Sequence, residues 1–212
     1  MLSSPLTAVK DLLDEGLFFV QDTSSAEAVG MLEIKPGSFV IDTCACPGGK
    51  SFAAAVEMNG KGEIRSFDLH KNKLSLIEKT AQRLAIKNIT TAELDGKVGE
   101  PSLFGKADYV ICDAPCSGLG VIAKKPEIRY KNLPDIVRLP GLQYEILCKS
   151  ALYLKPGGKM LYSTCTLNRA ENDENVDRFL AEHPDFCENK RKTFLPDGVC
   201  DGFFCSVLQR KG

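Results

Sequence analysis

Phe39-Val40-Ile41-Asp42-Thr43-Cys44-Ala45-Cys46-Pro47-Gly48-Gly49-Lys50 is the stretch on which the reading of this chain turns. Its apolar start reads as a buried strand ending at Asp42. The pair Gly48-Gly49 makes a tight turn, and Gly49 to Met58 follows as a helix in which Ala53, Ala54 and Ala55 pack closely. Strand, glycine turn and helix in that order form a nucleotide-binding turn, because glycines let backbone N–H groups approach a ligand and a helix N-terminus favours negative charge. The dinucleotide fingerprint G-x-G-x-x-G is absent, which weakens a nicotinamide-dinucleotide reading.

Working outward, strands and helical patterns alternate. Glu63 to Phe67 reads as a strand ending at Asp68, Ile89 to Leu94 as one ending near Asp95, and Tyr109 to Cys112 as one leading to Asp113. Lys71 to Ile86 carries apolar positions 74, 77, 81, 84 and 85, a helical face. Pro134 to Leu154 predicts a long helix broken or kinked at Pro140-Gly141, and Lys155-Pro156-Gly157-Gly158 a turn into a strand over 159–162. Arg169 to Leu180 predicts another helix, and Phe203 to Leu208 a last strand in a hairpin with an ill-defined one near 186–194. Upstream, Pro5 to Leu17 predicts a short helix, and Asp22-Thr23-Ser24-Ser25 a helix start ahead of Ala26 to Leu32. The expected fold class is α/β, Rossmann-like: a mainly parallel seven-stranded sheet with helices on both faces. Residues 1–30 are expected to be an N-terminal lead-in segment and 31–212 the catalytic domain.

With 212 residues, 43% of them apolar, the chain suits one domain with an ordinary core. A net charge of −1 predicts no nucleic-acid binding from the total, so such a partner needs a local basic stripe or a further domain. Nine scattered cysteines fit reduced thiols in the cytosol better than a secreted disulfide framework. No apolar run approaches a membrane span and no signal-peptide pattern opens the chain, so the expected location is cytoplasmic, away from any membrane. No C-x-x-C pair exists and neither His70 nor His183 completes a zinc spacing, so no metal is expected. His70 is read instead as a helix cap after Asp68, and His183 as a helix-end residue.

Asp42, Asp68, Asp95 and Asp113 fall at four successive strand ends, the rim of the ligand crevice in an open α/β sheet. Asp68 is placed to accept from ribose hydroxyls and Asp95 from an exocyclic amino group such as that of adenine. A ribose-bearing cofactor that carries a methyl group is S-adenosylmethionine. Two thiols share the rim: Cys116 in Asp113-Ala114-Pro115-Cys116, and Cys165 in Ser163-Thr164-Cys165-Thr166. A thiolate adding to C6 of cytosine makes C5 nucleophilic enough to attack a sulfonium methyl, with Asp113 as the group that hydrogen-bonds N3 and the 4-amino group. Either thiol can be the attacking one on this chemistry. An amino-group methyltransferase without a covalent adduct, and a silent cofactor-fold module, remain alternatives. Cys112, Cys148, Cys187, Cys200 and Cys205 are read as small buried hydrophobes; Cys44 and Cys46, in the glycine turn, as contacts by shape.

Taken together, Val20-Gln21-Asp22-Thr23-Ser24-Ser25, the turn 42–51, Asp68, Asp95, both cysteine motifs and Asp201-Gly202-Phe203-Phe204 resemble the Sun/Fmu-type RNA cytosine-C5 methyltransferases. The resemblance spans nearly the whole chain and is nearest to the branch acting on 16S ribosomal RNA. It implies Cys165 as nucleophile and Cys116 as the residue assisting breakdown of the adduct. It also implies cofactor binding by Cys44, Ala45, Cys46, Pro47, Gly48, Gly49, Lys50, Asp68, Asp95 and Asp113, with Lys50 and Asp113 also pointing into the reacting centre. The family further implies a helical RNA-binding domain upstream that this chain lacks. A monomer is the expected state. The basic segment Ala123 to Lys131 follows the Cys116 loop, and Lys124, Lys125, Arg129 and Tyr130 are its expected RNA contacts.

Overall fold

The structure, a computed structural model, describes residues 9–197 and 200–212. The Phe39–Asp42 run forms β1, flanked on one side by β2 (Glu63–Asp68) and β3 (Ile89–Glu93), and on the other by β4 (Ala107–Asp113) and β5 (Leu154–Thr164). These strands are mutually parallel, and the sheet continues antiparallel through β7 (Phe203–Arg210) and β6 (Phe186–Phe194), in the order β3-β2-β1-β4-β5-β7-β6. Burial on both faces explains the continuous apolar runs: Val110, Ile111 and Cys112 in β4, and Met160, Leu161 and Tyr162 in β5, are fully buried.

Helices α1 (Lys10–Asp14), α2 (Thr23–Gly30), α3 (Gly49–Glu57), α4 (Lys71–Arg83), α5 (Leu133–Ala151) and α6 (Asp173–Glu182) surround the sheet. Asp22 caps α2, its carboxylate accepting from Ser24 N at 3.1 Å, as its position before the helical run predicts. One core cluster packs α5 and α6 residues such as Leu147 and Phe179 against Val110, Tyr162 and Phe204. A second packs Val29, Leu32 and Ala54 against Val40, Ile64 and Leu161.

The structure revises several expectations. The helix predicted over 134–154 runs unbroken through Pro140-Gly141. Pro140 lacks the N–H that would bond Ile136 O, yet the helix continues on both sides of it, and Asn175 Nδ2 from α6 donates to Pro140 O at 3.0 Å. The turn at Lys155-Pro156-Gly157-Gly158 lies inside β5 as an irregularity, Ala107 pairing Leu154 and Tyr109 pairing Lys159, with Gly157 at φ +81°. The helix expected from Arg169 splits at Asn172 (φ −115°, ψ −96°) into a single 3₁₀ turn, 169–171, and α6. Residues 5–8 of the predicted first helix lie outside the described residues, and the rest shrinks to α1. Cys112 and Cys205 are buried as expected, whereas Cys148, Cys187 and Cys200 are only half-buried.

Candidate active site at the carboxyl ends of the parallel strands

Strand order reverses between β1 and β4, so the crevice of this sheet opens where the glycine turn leaves β1 and the Cys116 loop leaves β4. A cleft of about 720 Å³ lies there, with Cys46, Asp68 and Asp95 on one side and Asp113, Cys116 and Cys165 on the other. Gly48 adopts φ +109°, and a Cβ at this position would come within 2.6 Å of the Phe52 ring, so the turn requires glycine. Asp68 is fixed by two backbone donors, Cys46 N at 3.2 Å and His70 N at 3.0 Å, one on each carboxylate oxygen. Each oxygen keeps a lone pair for a ligand hydroxyl. His70 occupies the cap position of α4, as read from sequence, without a capping bond from its side chain. Asp95 accepts from Lys97 N at 2.9 Å and also lines the cleft. Thr43, Cys44 and Cys46 of the turn, two rigid acidic acceptors and an apolar wall at Leu142 and Ile146 fit a nucleoside.

Asp42 departs from the other three strand-end aspartates. It is fully buried and accepts from Ser51 Oγ on α3 at 2.7 Å, with Ser66 Oγ 2.8 Å further on. Burial, reinforced by the nearby Asp113 charge, pushes its carboxyl up to about 7. The folded protein then holds this proton more tightly than the unfolded chain, so stability is lost as pH rises from the ordinary carboxylate range through about 7. Asp42→Asn keeps an acceptor for Ser51 and is expected to be more stable than the parent at pH 8, by about 2–4 kcal/mol, and equal to it near pH 4. Melting temperatures across that range check both halves.

The reacting groups meet between β4 and β5. Asp113 accepts from Lys50 Nζ at 2.6 Å and from Ser163 Oγ at 2.7 Å, and Lys50, almost wholly buried, also lies 5.0 Å over the Phe203 ring. Cys116 Sγ and Cys165 Sγ are 3.2 Å apart. The Cys116 thiol is pushed up, first by its hydrogen bond to Cys165 and then by burial. The same bond holds Cys165 below the ordinary thiol value, with the Lys50 charge acting in the same direction. The pair is thus polarised, with Cys165 the more acidic thiol of the two. Burial raises Cys44, and burial plus Asp68 raises Cys46 to about 12, so neither turn cysteine is a nucleophile.

The basic loop divides. Lys124 donates to Asp22 at 3.0 Å and to Asp201 at 2.8 Å, tying three segments together while its side chain stays largely exposed. Lys125 lines the cleft, and Tyr130 is 87% exposed. Lys131, at the end of the same basic segment, also lines the cleft and donates to Ser117 O at 2.7 Å. Sequence reading missed Glu171 and Gln143, both fully buried beside the Cys116 loop. Nothing in their local patterns separates them from solvated helix residues. Among the described residues no group of three or more His, Cys, Asp or Glu side chains is placed to hold a metal, and no helix is long and apolar enough to cross a membrane.

A doubly wound sheet with a glycine turn after its first strand and an antiparallel edge hairpin is the layout of a Rossmann-like methyltransferase. The chain belongs to the 16S rRNA methyltransferase RsmB/F family, whose model matches residues 29–208. It is 40% identical over 91% of its length to the probable ribosomal RNA small subunit methyltransferase B of Bacillus subtilis. It is 33% identical over 93% to the tRNA (cytosine(72)-C(5))-methyltransferase of Pyrococcus horikoshii. The crystal structure of NSun6 from Pyrococcus horikoshii with SFG superposes with a TM-score of 0.85 at 29% identity, covering 100% of this chain and 57% of that one. The chain spans about half of these curated relatives, 48% of the first and 53% of the second.

Proposed function

We propose that residues 31–212 form a catalytic domain that methylates C5 of a cytidine in RNA, with S-adenosylmethionine as donor and small-subunit ribosomal RNA as substrate, residues 1–30 being its lead-in segment. The observation that carries this reading is the 3.2 Å thiol pair beside the Lys50–Asp113 pair. A relative solved with the S-adenosylmethionine analogue SFG supports the choice of donor. When bound, the cofactor supplies an electrophilic methyl group, and its nucleoside would lie against Asp68 and Asp95 with the tail on the turn 44–50.

Cys165 Sγ, the more acidic of the two thiols, adds as the thiolate to C6 of an unpaired cytosine. Asp113 is placed to accept from the 4-amino group, and the Lys50 ammonium offsets the charge that builds on the ring as sulfur adds. The added sulfur makes C5 nucleophilic. Once the C5–methyl bond has formed and the S–methyl bond has broken to leave the thioether, solvent takes the C5 proton, and its electron pair expels Cys165 Sγ and restores the aromatic ring. Cys116, which keeps its proton, donates a hydrogen bond to the departing sulfur and so assists release. The amine-methylation alternative leaves this thiol pair without a task.

Incubating the protein with methyl-labelled cofactor and cytidine-containing RNA tests the reaction. Label is expected at C5, and label on the 4-amino group would sink the reading. A transfer RNA substrate is the second reading, favoured by the likeness to the Pyrococcus horikoshii tRNA enzyme; competition between the two RNA classes separates them. Lys125, Arg129, Tyr130 and Lys131 are the proposed RNA contacts. Lys131→Ala is expected to weaken binding similarly for all sequences and to reduce the salt slope of log K by about 1, as loss of one phosphate contact does.

A further inference from the structure

One buried carboxylate has no part in the chemistry above. Asn168-Arg169-Ala170-Glu171-Asn172 follows the Cys165 loop, and its 3₁₀ turn, capped by Asn168 Oδ1 on Ala170 N at 3.2 Å, folds the Glu171 side chain inward until it is fully buried. Its Oε2 accepts from Ser117 N and from Gln143 Nε2, each at 2.9 Å, and its Oε1 accepts from Asn168 Nδ2 at 3.0 Å. All three donors are neutral. Burying a carboxylate against neutral partners is costly, so packing alone does not account for an acid here.

What an acid offers is two oxygens that only accept, where three N–H groups converge. Two of those donors bracket Cys116. Ser117 N belongs to the residue after it, and Gln143 Nε2 spends its second hydrogen on Pro115 O, the residue before it, at 2.9 Å. The same cluster grips the other thiol loop: Ser117 Oγ donates to Thr166 Oγ1 at 2.8 Å, Asn172 Nδ2 donates to Thr166 O at 2.9 Å, and Gly120 N donates to Cys165 O at 3.0 Å. We propose that Glu171 is a positioning residue that sets Cys116 against Cys165, holding the backbone on either side of Cys116 without touching substrate or cofactor.

Replacement by glutamine makes the point sharply. An amide nitrogen in place of Oε2 would face two donors, Ser117 N and Gln143 Nε2. Turned the other way it would face Asn168 Nδ2, and Asn168 cannot flip because its Oδ1 already caps Ala170 N. Glu171→Gln therefore always sets donor against donor, and the Cys116 loop has to shift. The thiol contact then lengthens, and Cys165 loses the donor that favours its thiolate.

The test is alkylation by iodoacetamide across pH 5–9, followed peptide by peptide by mass spectrometry, on the full chain, Glu171→Gln, Cys116→Ala and the double variant. In the parent, Cys165 is expected to react at lower pH than Cys116. Glu171→Gln is expected to move the Cys165 profile to that of Cys116→Ala, slowing alkylation about tenfold for each unit by which its pKa rises. The double variant should show no further shift, since both changes break one contact. An unchanged Cys165 profile in Glu171→Gln, or shifts that simply add in the double variant, would overturn the proposal. Gln143→Met leaves the carboxylate in place and loosens the same loop from α5, so it carries the test if Glu171→Gln does not fold; a shift of about threefold in the same direction is expected, and none would count against the proposal.

An RNA arm rests on the function proposed above. With ordinary cytidine RNA, Glu171→Gln should accumulate covalent adduct as Cys116→Ala does. Shifted alkylation with no adduct in any protein would leave the Glu171 assignment standing and remove the covalent mechanism.

Discussion

Cys165→Ala is expected to lower methyl transfer by at least about 10⁴-fold, about 5.5 kcal/mol of barrier, and to leave no covalent protein–RNA species on a denaturing gel. The size of the effect follows from what the sulfur does. Cytosine C5 is part of an electron-poor ring, and without addition at C6 it has no electron pair to offer. No neighbouring group substitutes for the missing sulfur: Cys116 keeps its proton, and burial holds Cys44 and Cys46 as neutral thiols. Cofactor affinity should stay within about twofold of the parent, since Asp68, Asp95 and the glycine turn are untouched. Isothermal titration of the variant with S-adenosylhomocysteine measures this. An adduct that persists in Cys165→Ala and vanishes in Cys116→Ala would exchange the two roles.

Cys116→Ala is expected to fail at the other end of the cycle. Removing the S–H takes away the donor that faces the departing Cys165 sulfur at 3.2 Å, so release should slow about 10²-fold while addition slows less. The visible result is an accumulated, denaturation-resistant complex with ordinary cytidine RNA, with no need for a trapping base analogue. Cys165 itself would titrate higher in this variant, because its hydrogen bond to Cys116 is the main influence that lowers it. Rapid quench followed by gel separation gives both rates. Equal slowing of addition and release would show that Cys116 acts only on the thiolate and not on its departure.

How much of this was legible in the residues depended on whether local pattern or long-range contact decided the outcome. The parallel core was legible because buried strands are short apolar runs, and the strand-end aspartates, the glycine turn and both cysteine motifs fall immediately after them. The unbroken α5 was not: Pro140 is a helix breaker by local rule, and the packing of α5 against α6 and the sheet, which holds the helix, is made by residues distant in sequence. Asp42 read like Asp68 and Asp95, yet Ser51 and Ser66 close over it, a consequence of how tightly the alanine-rich face of α3 meets β1. Lys124 read as a free cation because Asp22 and Asp201 are far away in sequence. Glu171 carried no signal at all, since a carboxylate on a short polar turn is normally solvated and only the packed loops bury it.

The edge hairpin has a practical consequence for anyone who wants to label this protein. Because β7 runs against β5, with Thr164 beside Phe204 and Lys159 beside Gln209, its two ends sit on opposite rims of the sheet. Gly202, just before it, donates from its backbone to Gly120 O at 2.9 Å, and Phe203 lies under Lys50, so the beginning of the strand belongs to the reactive rim. Arg210 is carried to the far rim, beside Leu154 O, the breadth of the sheet away. A fluorophore or surface tether attached beyond Arg210 therefore leaves the rim that carries the two thiols clear, whereas one placed near Gly202 would crowd it.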